Sequence, residues 1–98
     1  MQQFDVYAPP SGPLVVIIQG DLLGDMRTRV AIPLLDVKAA LPELNALNPT
    51  FDLGEVRVVL APQFVATFTR RELGTRVGSL EHERDRIIHA VDVLMGGI

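Results

Sequence analysis

The side chains that could bind metals or transfer protons lie mainly near the C-terminus. The two histidines, His82 and His89, are seven residues apart. Seven residues make about two turns of a helix, whereas paired metal ligands on a helix are normally one turn apart, as in H-E-x-x-H. The chain has no cysteine, which excludes thiolate ligands and disulfide bonds. We therefore predict no metal site and no cofactor.

Carboxylates surround these histidines, but arginines alternate with them. This alternation is typical of a solvated helix face, on which opposite charges support the helix. The motifs G-x-x-x-x-G-K-[ST], G-x-G-x-x-G and G-x-S-x-G are absent from the sequence. The sequence therefore predicts no catalytic residue and a protein that is not an enzyme. The acids concerned are Glu81, Glu83, Asp85 and Asp92.

The densest basic segment contains Arg70, Arg71 and Arg76. These arginines are either solvated strand ends or a binding patch, and bidentate pairing with carboxylates favours an acidic protein segment as the ligand. The chain has 9 basic and 12 acidic residues, a net charge of -3. An acidic domain is a poor primary ligand for nucleic acid, because nonspecific affinity comes from basic side chains that neutralise phosphates. We predict no direct nucleic-acid binding.

The composition predicts a single globular domain over residues 1–98. Apolar residues make up 48% of the chain, and the core should consist mainly of valine, leucine and isoleucine because aromatic residues are few. The longest apolar run, residues 14–18, is too short for a signal peptide or a membrane span. Together with the lack of cysteine, this predicts a cytoplasmic protein without a membrane segment.

Short apolar or alternating segments, separated by glycine and proline, predict a mainly β (α+β) fold. Pro33 suits the end or the edge of its strand, since proline cannot donate a ladder hydrogen bond. Residues 36–47 have helical spacing interrupted by Pro42, which indicates either a short helical turn or an excursion from the sheet. Without βαβ alternation, an antiparallel sheet or a small barrel is expected. The predicted strands are residues 4–7, 14–18, 27–34, 50–53, 56–60 and 66–72.

Residues 79–98 predict one amphipathic helix that covers the sheet. Ser79 can cap its start, and Gly96 can end it in the left-handed conformation. A second stripe on the opposite side is either a solvated flank or a surface that faces a partner. The apolar stripe, expected to be buried, is Leu80, Ile87, Ile88, Val91, Leu94, Met95 and Ile98. The second stripe is His89, Asp92, Val93 and Gly96.

Three stretches share a pattern with a known family. They are residues 1–7 (MQQFDVY), residues 19–23 (QGDLL) followed by residues 29–34 (RVAIPL), and the ending from Leu80 to Ile98. In this order and spacing they resemble the CcdB toxins of toxin–antitoxin systems. The resemblance covers essentially the whole chain, although each motif alone is weakly specific.

The resemblance implies an SH3-like barrel with a C-terminal helix, assembled as a homodimer. CcdB proteins bind the A subunit of DNA gyrase and trap the enzyme on cleaved DNA, so they are topoisomerase poisons that need no catalysis of their own. A CcdA-like antitoxin neutralises them through a disordered segment that folds on binding. By matching position, Gly97 and Ile98 would contact gyrase, with Leu22 and Leu23 supporting them. In view of the resemblance, we predict that the second stripe of the helix faces a partner. Arg70 and Arg71 are candidates for antitoxin binding.

The chain departs from the family at the helix end. Where the family has a tryptophan preceded by an aromatic residue, this chain has Gly96 preceded by Met95, and Asp92 replaces a polar amide. Truncating an aromatic anchor commonly costs about 2–4 kcal/mol of binding free energy. The sequence leaves three interpretations open: a toxin with weakened gyrase binding, a toxin with another target, and a nontoxic relative that mainly binds an antitoxin.

A second class of function is an endoribonuclease of the MazF kind, which shares the barrel fold. Such an enzyme needs charged side chains in the loop after the first strand, to bind RNA and to serve as acid and base. Residues 8–13, APPSGP, supply no charged side chain. The sequence therefore favours a binding protein over a nuclease.

Overall fold

The computed structural model describes residues 1–39 and 46–96 as a curled antiparallel sheet with one C-terminal helix of three turns. This confirms the predicted mainly β fold. The strands are β1 (Asp5–Ala8), β2 (Leu14–Ile17), β3 (Thr28–Asp36), β4 (Thr50–Leu53), β5 (Val56–Leu60), β6 (Ala66–Thr69) and β7 (Thr75–Ser79). The helices are the one-turn α1 (Arg70–Leu73) and α2 (Arg84–Leu94), and 3-10 turns span Asp21–Leu23, Val37–Ala39, Pro62–Phe64 and Glu81–Glu83.

The long strand β3 organises the sheet, whose order is β4-β5-β3-β2-β1-β7 with β6 also paired to β3. On the side away from β2, the first half of β3 pairs with β6 and its end pairs with β5. Pro33 lies between these two stretches. Its carbonyl accepts a hydrogen bond from Ala61, so its nitrogen faces the side where the partner strand changes. Pro33 is thus inside β3, and the prediction that it ends or edges the strand was wrong.

The predicted strand over residues 66–72 stops at Thr69, where α1 begins. The Thr69 side chain accepts a hydrogen bond from Glu72 N at 3.3 Å, and Thr69 N donates to Glu72 Oε1 at 2.8 Å. This reciprocal pair is a capping box, whose Thr-x-x-Glu signature is present in the sequence. The sequence analysis also missed β7, which pairs with β1 at the edge of the sheet.

The helix α2 begins five residues later than predicted. Ser79 ends β7, and its hydroxyl accepts a hydrogen bond from Glu81 N at the start of a 3-10 turn instead of capping α2. Gly96, with φ of 85°, confirms the predicted glycine stop. Of the 36–47 segment, Val37–Ala39 forms a 3-10 turn, while residues 40–45 lie outside the described residues.

Apolar side chains form two clusters on opposite faces of the sheet. On the α2 face, Ile87 and Ala90 pack with Leu80 and the inward side chains of the strands, and Val91 is half-buried beside them. The prediction that Ile88, Leu94 and Met95 are buried was wrong, because α2 places only the narrow stripe at positions 87, 90 and 91 against the sheet. On the other face, Leu73 of α1 covers a smaller cluster that includes Tyr7, Val15, Ile17 and Ala31.

Within the described part of the chain, no helix is long and apolar enough to cross a membrane.

Candidate partner-binding surfaces

The loop of residues 20–27, between β2 and β3, presents apolar side chains to solvent. Leu22 is fully exposed, at 102% of its reference area, and Leu23 and Met26 are about half exposed. Three large apolar side chains within five residues are unusual on a surface that has only water to contact. The predicted contact residues Leu22 and Leu23 therefore lie where a partner protein can reach them.

Two buried polar side chains form hydrogen bonds to the backbone of this loop. Gln19 Nε2 donates to the carbonyl of Leu23 at 3.0 Å, and Gln19 Oε1 accepts from Val30 N at 3.1 Å. The guanidinium of Arg29 donates to the carbonyl of Gly24 at 2.7 Å and also to the carbonyls of Met26 and Thr28. Arg29 is only 3% exposed, and Gln19 8%. The sequence analysis assigned neither side chain a role beyond its place in a motif.

The N-terminal segment fixes the entrance of the loop. Gln3 N donates to Asp21 Oδ1 at 2.7 Å, and Gln3 Nε2 donates to the carbonyl of Ile18 at 3.0 Å. Asp21 lines a polar pocket of about 250 Å³ together with Glu81, in the 3-10 turn before α2, and Arg84, the first residue of α2. The loop therefore begins beside the N-terminal end of α2.

The second candidate surface lies at the other end of α2, about 16 Å further along the helix axis. Of the stripe predicted to face a partner, His89, Asp92 and Gly96 are exposed and Val93 is half-buried. Met95, just before Gly96, is 78% exposed. Gly97 and Ile98, predicted to contact gyrase, lie outside the described residues.

A further apolar segment adjoins α2 and was not recognised in the sequence. The 3-10 turn Pro62–Phe64 packs against α2, while Phe64 and the following Val65 are about half exposed. The prolyl turn interrupts strand periodicity, so no regular pattern in the sequence places these side chains on either face. Their exposure extends the apolar surface near this helix.

Arginines fasten the N-terminal half of α2 to the sheet. The Arg84 guanidinium lies 5.5 Å from the centroid of the Phe4 ring, and the Arg86 guanidinium lies 4.7 Å from that of Phe51. Arg86 also donates to the carbonyl of Thr50 at 3.0 Å. Charges that the sequence assigned to a solvated face thus make cation–π contacts with core aromatic rings.

The predicted basic patch is divided by the structure. Arg70 and Arg71 are exposed on α1, whereas Arg76 Nε lies 3.2 Å from Oδ1 of the buried Asp5. Arg76 is therefore already paired. In α1, which carries Arg70 and Arg71, hydrogen bonding from the Thr69 backbone, and secondarily from the Thr69 side chain, lowers the pKa of Glu72. Arg70 and Arg71 remain available to an acidic partner.

A groove beside α2 contains titratable side chains. His89 lines an open groove of about 260 Å³ with Asp85, Arg86, Ala46 and Pro49. No group of three or more histidine, aspartate or glutamate side chains lies close enough to hold a metal ion in residues 1–39 and 46–96.

Comparison with known proteins gives one family and a set of similar folds. A family model described as CcdB protein matches residues 3–97. An endoribonuclease from Mycobacterial species superposes with a TM-score of 0.78 at 15% identity, covering 98% of this chain and 91% of that chain. An endoribonuclease in complex with its cognate antitoxin, also from Mycobacterial species, gives 0.80 at 13% identity, with 98% and 95% covered. Such low identities establish a shared fold only. No match was found among curated proteins.

Proposed function

The chain belongs to the CcdB family, and from this we propose that it is the toxin component of a type II toxin–antitoxin system, formed by a single domain over residues 1–98. The observation that carries the proposal is the family match over residues 3–97. The protein would act by binding its target, and the A subunit of DNA gyrase is the target that the family relationship favours. Poisoning of this kind needs no catalytic residue in the toxin.

The exposed 20–27 loop supports a contact of this type. Leu22 projects fully into solvent from a loop whose backbone is hydrogen-bonded at several points. A loop whose backbone is already held in place loses less conformational freedom on binding, which reduces the entropic cost. Leu22 and Leu23 are therefore the gyrase-contacting residues that we propose within the described part of the chain.

Calorimetric titration of the purified protein into the dimerisation domain of gyrase A tests the target. We expect measurable binding, and we expect Leu22→Asp to weaken it by about tenfold or more, as for a central interface residue. Val56→Asp is the control, because Val56 is also an exposed apolar side chain but lies at the tip of the β4–β5 hairpin. Absence of binding by the wild-type protein at high micromolar concentration would exclude gyrase A as the target.

Gly96 determines how strong that binding can be. The family has an aromatic anchor at this position, and restoring it by Gly96→Trp should increase affinity if the helix end meets gyrase. Gly96 has φ of 85°, which disfavours any side chain, although no atom occupies the space where a Cβ would lie. Gly96→Ala is therefore the control that separates the backbone effect from the aromatic contact. Equal affinities of the Trp and Ala variants would mean that this end does not contact gyrase.

We also propose that the protein is a homodimer, as the family relationship implies. The exposed apolar side chains of Leu94 and Met95 at the end of α2 are consistent with a subunit interface there. Light scattering coupled to size-exclusion chromatography should give twice the monomer mass. Met95→Glu should shift the protein towards the monomer, whereas Val56→Glu should not.

A CcdA-like antitoxin is the proposed neutralising partner, with Arg70 and Arg71 as candidate contacts for its acidic side chains. The alternative within the family is a nontoxic or retargeted protein that mainly binds the antitoxin. Expression without the antitoxin separates these possibilities. A gyrase poison stops growth and induces the DNA-damage response, a retargeted toxin stops growth without that response, and a nontoxic relative leaves growth unchanged.

An endoribonuclease is the second candidate, because two proteins of the same fold carry that name. The loop after β1 argues against it, since residues 8–13 contain no charged side chain. Purified protein should leave a long single-stranded RNA intact. Cleavage by the wild type, lost in an Arg70→Ala, Arg71→Ala double variant purified in the same way, would instead establish a nuclease.

A further inference from the structure

We propose that Arg29 and Gln19 are positioning residues, which hold the 20–27 loop in its binding conformation and so fix where Leu22 is presented. The inference rests on the proposed function for what the loop contacts. It goes further by assigning the order of the loop to two buried side chains that themselves reach no partner. The juxtaposition that carries it is a buried guanidinium and a buried amide, both directed at carbonyls of one exposed loop.

The position of Arg29 in the strand explains its environment. In β3, Arg29 and Ala31 point to the face opposite α2, and Ala31 belongs to the small cluster under Leu73. An arginine on a buried face must satisfy its charge and its donors locally. It does so on the carbonyls of Gly24, Met26 and Thr28, and none of the ion pairs in the described residues includes it.

Geometry makes arginine particularly suited to this position. A guanidinium is a flat fork with several N–H groups, so it can reach separated acceptors at once. Nη2 donates to Gly24 and Nη1 donates to Met26 and Thr28, which ties the middle of the loop to its end. A lysine would keep the charge, but its single ammonium cannot reproduce the fork.

Gln19 forms a further hydrogen bond to the same loop. Its amide donates to the Leu23 carbonyl and accepts from Val30 N, so it joins the loop to the start of β3. The two side chains together hold the carbonyls of Leu23, Gly24 and Met26. Since Leu22 makes no core contact, its position depends on these backbone anchors.

Amide hydrogen exchange measured by NMR tests the inference without any partner. Three loop amides, those of Leu23, Gly24 and Met26, donate hydrogen bonds within the loop and report its order. Leu60 and Ala61 also donate to backbone carbonyls and serve as core references. In Arg29→Met, exchange of the loop amides should approach that of an unstructured peptide, while the reference amides keep their protection. Gln19→Met should act in the same direction, and Arg29→Lys should be intermediate.

The matched control is Arg27→Gln, which removes an exposed arginine of the same loop that makes no side-chain hydrogen bond within the described residues. Loop exchange should be unchanged in this variant. Full retention of loop protection in Arg29→Met would overturn the inference. Equal acceleration at the loop and at Leu60 and Ala61 would also overturn it, because that result describes a general stability role.

Binding to the gyrase A dimerisation domain then separates positioning from contact. Apparent affinity falls with the fraction of molecules whose loop is in place, so Arg29→Met, with a mostly open loop, should bind about tenfold more weakly. Leu22→Asp should lose affinity with loop protection intact, and Arg57→Gln, on β5, should change neither. Unchanged affinity in Arg29→Met, once its loop is open, would refute the link to binding. If the wild type does not bind gyrase A, the target proposal fails, while the exchange data still decide the role of Arg29 and Gln19.

Discussion

Asp5 Oδ1 and Arg76 Nε lie 3.2 Å apart and join β1 to the edge strand β7. Asp5 is only 5% exposed, and its other oxygen accepts a hydrogen bond from Gln2 N at 2.9 Å. The Arg76 side chain is half exposed, so water already screens one partner of this ion pair. The carboxylate therefore stabilises the sheet mainly through the hydrogen bonds that it accepts at a buried position.

Asp5→Ala should lower the free energy of unfolding by about 1–3 kcal/mol, the usual cost of removing a buried hydrogen-bonding partner. Urea denaturation monitored by circular dichroism measures the change. The control is Asp52→Ala, since the Asp52–Arg57 pair is 3.9 Å long and both side chains are exposed. Loss of such an exposed pair should cost about 1 kcal/mol or less. Equal losses in the two variants would show that burial of Asp5 has no energetic role.

Glycine positions give a second prediction about stability. Gly20 has an extended backbone and no atom within 4 Å of the place where a Cβ would lie. Gly20→Ala should raise the free energy of unfolding by about 0.4–1 kcal/mol, because alanine restricts the unfolded chain. Gly74 is the opposite case, with φ of 73° and the carbonyl oxygen of Ala8 2.2 Å from a Cβ. Gly74→Ala should therefore be destabilising. Thermal melts measure both variants, and a melting temperature of Gly74→Ala equal to or above that of Gly20→Ala would contradict the prediction.

The fold could be predicted from the sequence wherever periodicity and punctuation agree. The hairpin of β4 and β5 matches its prediction at both strands, because alternating residues flank the turn at Gly54. The edge strand β7 was not predicted, because its residues are mostly exposed and a glycine interrupts them, so the sequence has no apolar alternation there. The start of α2 was misplaced because Ser79 ends β7 and its hydroxyl accepts a hydrogen bond from Glu81 N, in a 3-10 turn that precedes the helix.

The candidate site could be predicted only at the residues that the family resemblance singles out. Leu22 and Leu23 follow from that resemblance, and the structure places them in solvent. The side chains that hold the loop could not be inferred. Strand alternation predicts which face of the sheet Arg29 lies on, but not which segment of the chain packs over that face. Its acceptors are backbone carbonyls, which leave no trace in residue types. The exposure of Phe64 could not be predicted either, because this residue lies in an irregular 3-10 turn.

The capping box of α1 predicts a specific pH dependence. Hydrogen bonds from Thr69 lower the pKa of Glu72 below its ordinary value of 4.5. The stability that the ionised carboxylate contributes is therefore fully present above pH 4.5 and is lost as the pH falls through the lower, folded-state pKa. An NMR titration of the Glu72 carboxyl carbon should show a midpoint below 4.5.

Substitution of Glu72 checks the same linkage from the stability side. Glu72→Gln should destabilise the protein at neutral pH, and the difference from the wild type should shrink as the pH falls below 4.5, because the wild-type carboxyl is then protonated too. A difference that stays constant over this range would mean that the charge of Glu72 does not stabilise the cap.

Two leucines of opposite exposure separate stability from binding. Leu73 is completely buried on the face opposite α2, whereas Leu22 is fully exposed in the 20–27 loop. Leu73→Ala should lower the free energy of unfolding by about 2–5 kcal/mol, since it removes core contacts and leaves a cavity. Leu22→Ala should change it by about 0.5 kcal/mol or less, as expected for a surface side chain.

The two variants should rank in the opposite order for loss of growth inhibition, with Leu22→Ala affected more than Leu73→Ala. Both are expressed without antitoxin at a temperature where Leu73→Ala is folded. The folded Leu73→Ala protein retains the 20–27 loop and should remain toxic, whereas Leu22→Ala loses apolar contact area at the target and should be less toxic. Circular dichroism at the growth temperature establishes that both are folded. If Leu22→Ala is as toxic as the wild type, the exposed leucine is not the contact. The exposure of Leu22 would then have to serve some other interaction of this loop.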